Sequence, residues 1–231
     1  MDSTKKIGAE NDSIPVDRRR YQRLVGRLIY LSHTRPDIGF AVSFVSQFMN
    51  NPTEDHMAAV NRILRYLKMT PGKGLLYKKC DSRNIEIYTD ADWAGNIIDR
   101  RSTSGYCSYV WGNLVTWRSK KQHVVSRSSA ESELRALALG ICEGMWIQRL
   151  LKELGLESLT PIKQNIVHHD RTKHIEIDRH FITEKIEKNI VNLIYTPTKS
   201  QIADILTKAL PRTNFEELSH KLGMYNIYNP A

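Results

Sequence analysis

The hydrophobic period of this chain changes near residues 71–83, and that change decides its class of fold. From Val16 to Met69 apolar side chains recur at three- and four-residue steps, as in Tyr21, Leu24, Val25, Leu28, Ile29 and Leu31, which is a helical pattern. Pro36 opens a second helical segment that reaches Met49. A third starts near Thr53, carries Met57, Val60, Ile63, Leu64 and Leu67, and stops at Thr70-Pro71-Gly72. Beyond residue 83 the apolar positions alternate in short runs: Ile85 and Ile87, then Tyr106, Tyr109 and Val110, then Leu114, Val115 and Trp117, separated by Gly95, Gly105 and Gly112-Asn113. Three consecutive strands in a meander fit this pattern. Ser128-Ser129-Ala130-Glu131 then reads as a capping box that opens a long helix to about Leu154. Its apolar positions, among them Leu134, Leu137, Ala138, Ile141, Met145, Leu150, Leu151 and Leu154, form a face able to cover a sheet. The rest reads as a short strand within Pro161–His169, an amphipathic helix Arg171–Lys188, a strand Ile190–Tyr195 and a helix Gln201–Leu210. Strands followed by alternating helix and strand predict an α/β fold: a mixed sheet with flanking helices, preceded by a helical segment.

Charge and composition bound the function. Thirty-four Lys and Arg against 25 Asp and Glu leave +9 over 231 residues, a balance that favours polyanionic partners. With 41% hydrophobic and 26% charged residues, the chain has globular usage, which excludes wholesale disorder or a collagen-like repeat. Cys80, Cys107 and Cys142 are odd in number, widely spaced and without a CxxC pair, so a reducing compartment, cytoplasm or nucleus, is expected. The first twenty residues lack the apolar stretch of a signal peptide. No uninterrupted apolar run approaches the roughly 20 residues that span a bilayer, so no membrane partner is expected.

Chemistry concentrates in Tyr88-Thr89-Asp90-Ala91-Asp92-Trp93-Ala94-Gly95, which sets a carboxylate in the middle of a strand that should be buried. A buried carboxylate without a partner is costly, so a metal or basic group should accompany it. The plain alternative is that Asp90 and Asp92 end the strand and start a turn. Companions for Asp90 are present further on: Glu133 on the capped helix, and Asp204 within Gln201-Ile202-Ala203-Asp204-Ile205-Leu206-Thr207-Lys208.

Taken together, YTDADWAG, RRSTSGYCSYVWGNLVTWRSKKQ, SSAESELRAL, RTKHIEIDRHFITEKI and QIADILTKAL resemble the ribonuclease H (RNase H) domain of copia-type LTR retrotransposon polyproteins, over roughly residues 84–215. RYQRLVGRLIYLSHTRPDIGFAVSFVSQFM and AAVNRILRYLKMTPGKGL resemble the reverse transcriptase tail and connection that precede that domain. The resemblance implies a helical connection over 1–75, an RNase H-like domain over 84–215 and a tail over 216–231. It also implies Mg²⁺-dependent hydrolysis of the RNA strand of an RNA–DNA hybrid, with four acids holding two ions. Matched by motif, Asp90, Glu133 and Asp204 are the implied catalytic and metal-binding residues, and Glu131 serves the helix cap. The family's remaining acid lies on a strand carrying Cys-Asp-Asn, followed by a short helix. Here Pro161-Ile162-Lys163 runs almost directly into Gln164 to His174, so about a dozen family residues are missing near 161–170. Asp170 belongs to the HxRTKH motif and does not replace the lost ligand. The expectation is a relic with the fourth strand shortened or rebuilt, and weak or absent nuclease activity.

Other readings compete at particular residues. His168, His169, His174 and His180, with Asp170 and Asp178, have enough donors for zinc, but their spacing fits no standard zinc motif, and the family uses this stretch as a structural and substrate-facing segment. The basic residues Arg118, Lys120-Lys121, Arg171 and Lys173, with Trp117 beside them, like Arg18-Arg19-Arg20 and Arg100-Arg101, suit phosphate contacts; the alternative is an ordinary solvated face. Arg62-Ile63-Leu64-Arg65 spells RxLR, the tag used to catalogue oomycete effectors secreted and translocated into host cells, where the partner would be a plant protein. Against that tag, Ile63 and Leu64 fit the core side of the third helix, and neither an EER-like segment nor a signal peptide accompanies it. A paired-Asp polymerase motif and a GxSxG elbow are both absent from the sequence, which excludes reverse transcription and serine hydrolase chemistry.

Overall fold

The computed structural model describes residues 13–156, 161–166 and 176–228. Three helices come first. In α1 (Arg18–Leu31) the Asp17 carboxylate accepts from the Arg19 and Arg20 amides, supplying two of the bonds a helix start lacks. After a 3₁₀ turn at Pro36–Ile38, α2 (Gly39–Ser46) leads to α3 (Glu54–Met69), where Thr53 and the His56 ring form the capping box. Tyr21, Val25, Leu28, Val42, Val45, Val60 and Ile63 make their shared core. At its edge the Arg35 guanidinium forks onto the Asp37 carboxylate at 2.9 and 2.8 Å, and the Tyr66 hydroxyl donates to the same group at 2.6 Å. The two side chains are 8% and 0% exposed, and loss of either partner from so buried a pair costs about 3–5 kcal/mol.

A short strand β1 (Lys73–Leu75) crosses the 71–83 boundary. The meander follows as β2 (Ile85–Asp92), β3 (Thr103–Val110) and β4 (Asn113–Lys121). Half of the predicted capping box forms: in α4 (Ser129–Glu153) the Ser128 hydroxyl accepts from the Glu131 amide, while the Glu131 carboxylate reaches past the cap to the Arg127 amide. Then come β5 (Ile162–Ile166), α5 (Glu176–Glu187), β6 (Val191–Tyr195), α6 (Arg212–Lys221) and β7 (Met224–Asn226). The main sheet runs β4-β3-β2-β5-β6, antiparallel across the meander and parallel from β2 through β5 to β6. This is the α/β architecture expected from the sequence.

The fourth strand is rebuilt rather than lost. Ile162–Ile166 fills the interior position between β2 and β6, with Ile162 and Gln164 fully buried. A polar side chain there needs partners. Gln164 Nε2 donates to Thr89 Oγ1 at 3.0 Å, Asn165 Nδ2 to the Ile87 carbonyl at 3.3 Å, and Thr196 Oγ1 to Asn165 Oδ1 at 3.1 Å. These bonds secure the replacement strand to both neighbours. The strand contains no acidic residue.

The two faces of β2 differ, as its strict alternation demands. Ile85, Ile87, Thr89 and Ala91 lie under α4, while Tyr88, Asp90 and Asp92 face the other way. A Cβ at Gly140 would stand 2.4 Å from Thr89 Cγ2, and one at Gly144 2.4 Å from Ile87 Cδ1. Both glycines therefore permit a close helix–sheet approach. On the opposite face the predicted helix Gln201–Leu210 is instead a 3₁₀ helix, Ile202–Leu206. The cause is tethering: buried Gln201 accepts from the Ala203 amide and donates to the Thr89 carbonyl at 3.0 Å, so the tighter winding follows the sheet.

Gly140→Leu should lower stability by about 1–3 kcal/mol, as overpacking does. The measurement is the urea midpoint at unchanged m-value; a midpoint within error of the parent would show that the contact can relax.

Candidate functional site

Asp90 and Asp204 meet on the face of β2 away from α4. Asp90 lies toward the C-terminal end of the strand, opposite Gly105 of β3. A Cβ at Gly105 would fall 2.7 Å from Thr207 Cγ2 and 2.8 Å from Leu206 Cβ. That glycine lets the 3₁₀ segment settle against the sheet, and Thr207 and Lys208 then reach Asp90. The Thr207 hydroxyl donates to Asp90 Oδ2. Lys208 Nζ lies 3.3 Å from Asp90 Oδ2 and 3.2 Å from Asp204 Oδ1, with the two carboxylates only 12% and 14% exposed. Sequence reading named both acids but missed the lysine between them; the signal was the Asp204-to-Lys208 spacing, an i,i+4 pair.

The electrostatics follow from burial and proximity. Burial, and then the charge of Asp90, push the Asp204 carboxyl up to about 6. Burial lifts Asp92 to about 7 even though it accepts the Thr103 amide, and Asp90 adds to the effect. Lys208 loses solvation too, but the two carboxylates outweigh that loss and hold its ammonium above the ordinary lysine value.

Glu133 is half-buried in the second turn of α4 and has an interaction of its own. Gly144 lies over Ile87 and Gly140 over Thr89, so α4 runs antiparallel to β2 and its first turns lie toward the end of the strand that holds Asp90 and Asp92. Among the described residues, however, no three His, Cys, Asp or Glu side chains gather as a metal-holding group. Two Mg²⁺ ions need several acidic oxygens around open positions. This site offers two gathered carboxylates with an ammonium between them, and a neighbouring strand without an acid. The described residues do not fit the two-ion arrangement. What they form is a neutralised acid pair able to hold a proton or one monovalent charge.

The expected phosphate-contacting residues separate. Trp117 and Lys121 share Asp90's face of the sheet, where the N-terminal helices dock: Trp117 Nε1 donates to the Ser32 carbonyl at 2.9 Å, and Lys121 Nζ lies 2.7 Å from Asp99 and 3.1 Å from Gln47 Oε1. Arg118 and Lys120 are exposed on the α4 face. Arg171 and Lys173 lie outside the described residues, as do Asp170, His168, His169 and His174. In the RxLR-like tetrapeptide, Arg62 and Arg65 are exposed, but Ile63 is 5% exposed and Leu64 packs against the same core.

No family model matches the chain. Over 239 positions it is 40% identical to the retrovirus-related Pol polyprotein from transposon RE1 of Arabidopsis thaliana, covering 98% of this chain and 16% of that protein. The chain belongs to the Pol polyproteins of copia-type LTR retrotransposons. This Pol chain thus spans about one sixth of the RE1 polyprotein's length. The aligned stretch, 239 positions, exceeds the 231 residues present, so the relative has at least eight residues without a counterpart here, in keeping with the internal deletion. A protein called secreted RxLR effector protein 161, from Plasmopara viticola, is 44% identical over 128 residues, covering 55% of the Pol chain and 90% of itself. Among solved structures, the N-terminal RNase H domain of rv2228c from Mycobacterium tuberculosis covers 60% of the Pol chain and 98% of its own, with a TM-score of 0.39 and 13% identity; the family assignment does not rest on it.

Two substitutions test the electrostatics. The Asp92 carboxyl titrates near 7 when folded against about 3.9 unfolded, so the folded state holds the extra proton between those values and loses stability as pH rises through them. Asp92→Asn should therefore raise the melting temperature at pH 8 and have little effect at pH 4; equal effects at both would refute the assignment. Lys208→Met leaves Asp90 and Asp204 facing each other. Its destabilisation should be larger at pH 8 than at pH 5, where Asp204 takes up a proton, again read by thermal unfolding.

Proposed function

We propose that this Pol chain is a degenerate RNase H domain with its connection segment, which binds RNA–DNA hybrid and cleaves it weakly or not at all. The observation that carries this reading is the Lys208 ammonium seated between Asp90 and Asp204 beside a rebuilt strand with no acid. Ancestral chemistry of this kind uses Mg²⁺ on acids assigned here to Asp90, Glu133 and Asp204. In this chain the gathered acids are compensated internally, so divalent ions gain little by binding.

The division proposed is a helical connection over 1–75, the RNase H-like domain over 84–215 and a C-terminal stretch over 216–231. Exposed Arg118 and Lys120, with Arg171 and Lys173, are assigned to the phosphates of the hybrid. Trp117 and Lys121, on the opposite face of the sheet, keep the connection helices seated on it. The place of action is the cytoplasm or nucleus. An effector function read through Arg62-Ile63-Leu64-Arg65 is not adopted, because burial of Ile63 makes the tetrapeptide part of a helical core.

Purified protein incubated with labelled RNA–DNA hybrid in Mg²⁺ or Mn²⁺ should bind it and release product at background rate. Robust turnover abolished by Asp90→Asn would sink this reading.

A further inference from the structure

We propose that the exposed face of α1 is a second polynucleotide-binding surface, a row of arginines that holds the phosphodiester backbone away from the acid pair. The proposal rests on the nucleic-acid reading above and extends it to a part of the chain that carries none of the assigned residues.

α1 contains five arginines and no acidic residue. Arg19, Arg23 and Arg27 recur every four residues and are exposed together with Arg20. At about 1.5 Å rise per residue they stand roughly 6 Å apart along the axis, near two steps of a nucleic-acid strand at about 3.4 Å each. Among the described residues, none of these arginines joins an ion pair. Elsewhere the surface cations are commonly neutralised, as in Arg135 with Glu131, Lys121 with Asp99, Lys188 with Glu184 and Arg212 with Glu216. Asp17, at the start of α1, is engaged by the Arg19 and Arg20 amides. The surface is also accessible: a Cβ at Gly26 would meet nothing within 4 Å, and Tyr30 is 81% exposed in line with the arginines.

The row continues into a groove. Beyond Leu31 an open cleft of about 430 Å³ is lined by His33, Lys73, Tyr77 and Trp117, cationic and aromatic side chains suited to phosphate and to an unstacked base. An anionic membrane would share the charge preference. The structure favours a polynucleotide, because the apolar face of α1 is already spent: Tyr21, Val25 and Leu28 are at most 3% exposed within the helical core, and exposed Ile29 and Tyr30 alone do not make the continuous apolar face with which interfacial helices enter a bilayer.

The test compares the full chain with R19A/R23A/R27A, using R149A/K152A/R179A on α4 and α5 as the charge-matched control. Anisotropy measured on labelled RNA–DNA hybrid, double-stranded DNA and single-stranded RNA across a salt series gives affinity and the slope of log K against log salt. Each phosphate contact contributes about 0.9 to that slope on a duplex, so the α1 variant should lose about 2–3 units and bind at least about tenfold more weakly near 0.1 M salt, while the control changes little. A slope equal to the parent's, or an equal loss in the control, overturns the α1 assignment and leaves the nucleic-acid reading standing. A parent that binds none of the three probes overturns both. α1-dependent flotation with phosphatidylserine vesicles, without polynucleotide binding, would replace the proposal with a membrane surface.

Discussion

Everything in the sheet is referred to one strand that is sealed on one face and only partly open on the other. β2 has α4 pressed against one face through Gly140 and Gly144, and the Ile202–Leu206 turn pressed against the other over Gly105. Such close cover brings strong apolar burial on the α4 side, where Ile85, Ile87, Ile141 and Ile162 are fully inaccessible. On the other side it traps acids. Asp92 and Asp204 are held where desolvation opposes their charge, so they need a cation nearby or must keep their protons.

In this chain the cation is covalent. A lysine four residues after Asp204 supplies an ammonium at hydrogen-bond distance from two carboxylates, which relieves the same repulsion a divalent ion would relieve, without any coordination chemistry. A fold can therefore keep buried acids where a cation of its own stands beside them. Burial of Asn165 in the rebuilt strand follows the same logic: its amide is retained inside because Thr196 and the Ile87 carbonyl answer it, and Thr89 answers the Nε2 of Gln164.

How much could be read in advance depended on how local the signal was. Periodicity located the three N-terminal helices, the meander and α4, because each carries an apolar face or a cap within its own residues: Asp17, Thr53 and Ser128 all cap as their types suggest. The acids at 90 and 204 were legible as polar intrusions into apolar runs. The 3₁₀ winding after Gln201 was not, since it depends on a bond to a carbonyl 112 residues away. The division of Trp117 and Lys121 from Arg118 and Lys120 was implicit in the two-residue period of a strand, yet their adjacency in sequence disguised it. β1 and β7 escaped notice because three residues each give no period, and their pairing is visible only in space.

That last pairing has a kinetic meaning. Lys73–Leu75 lies against Met224–Asn226, with flanking bonds from Leu76 to Gly223 and from Ile227 to Gly72. The strip joining the helices to the sheet is thus completed by residues about 150 positions later. Closure over so long a span comes late and slowly. During synthesis the helical unit and the meander can each condense first, but the joint between them stays unfastened until the distant strand arrives, like a belt whose buckle is threaded last.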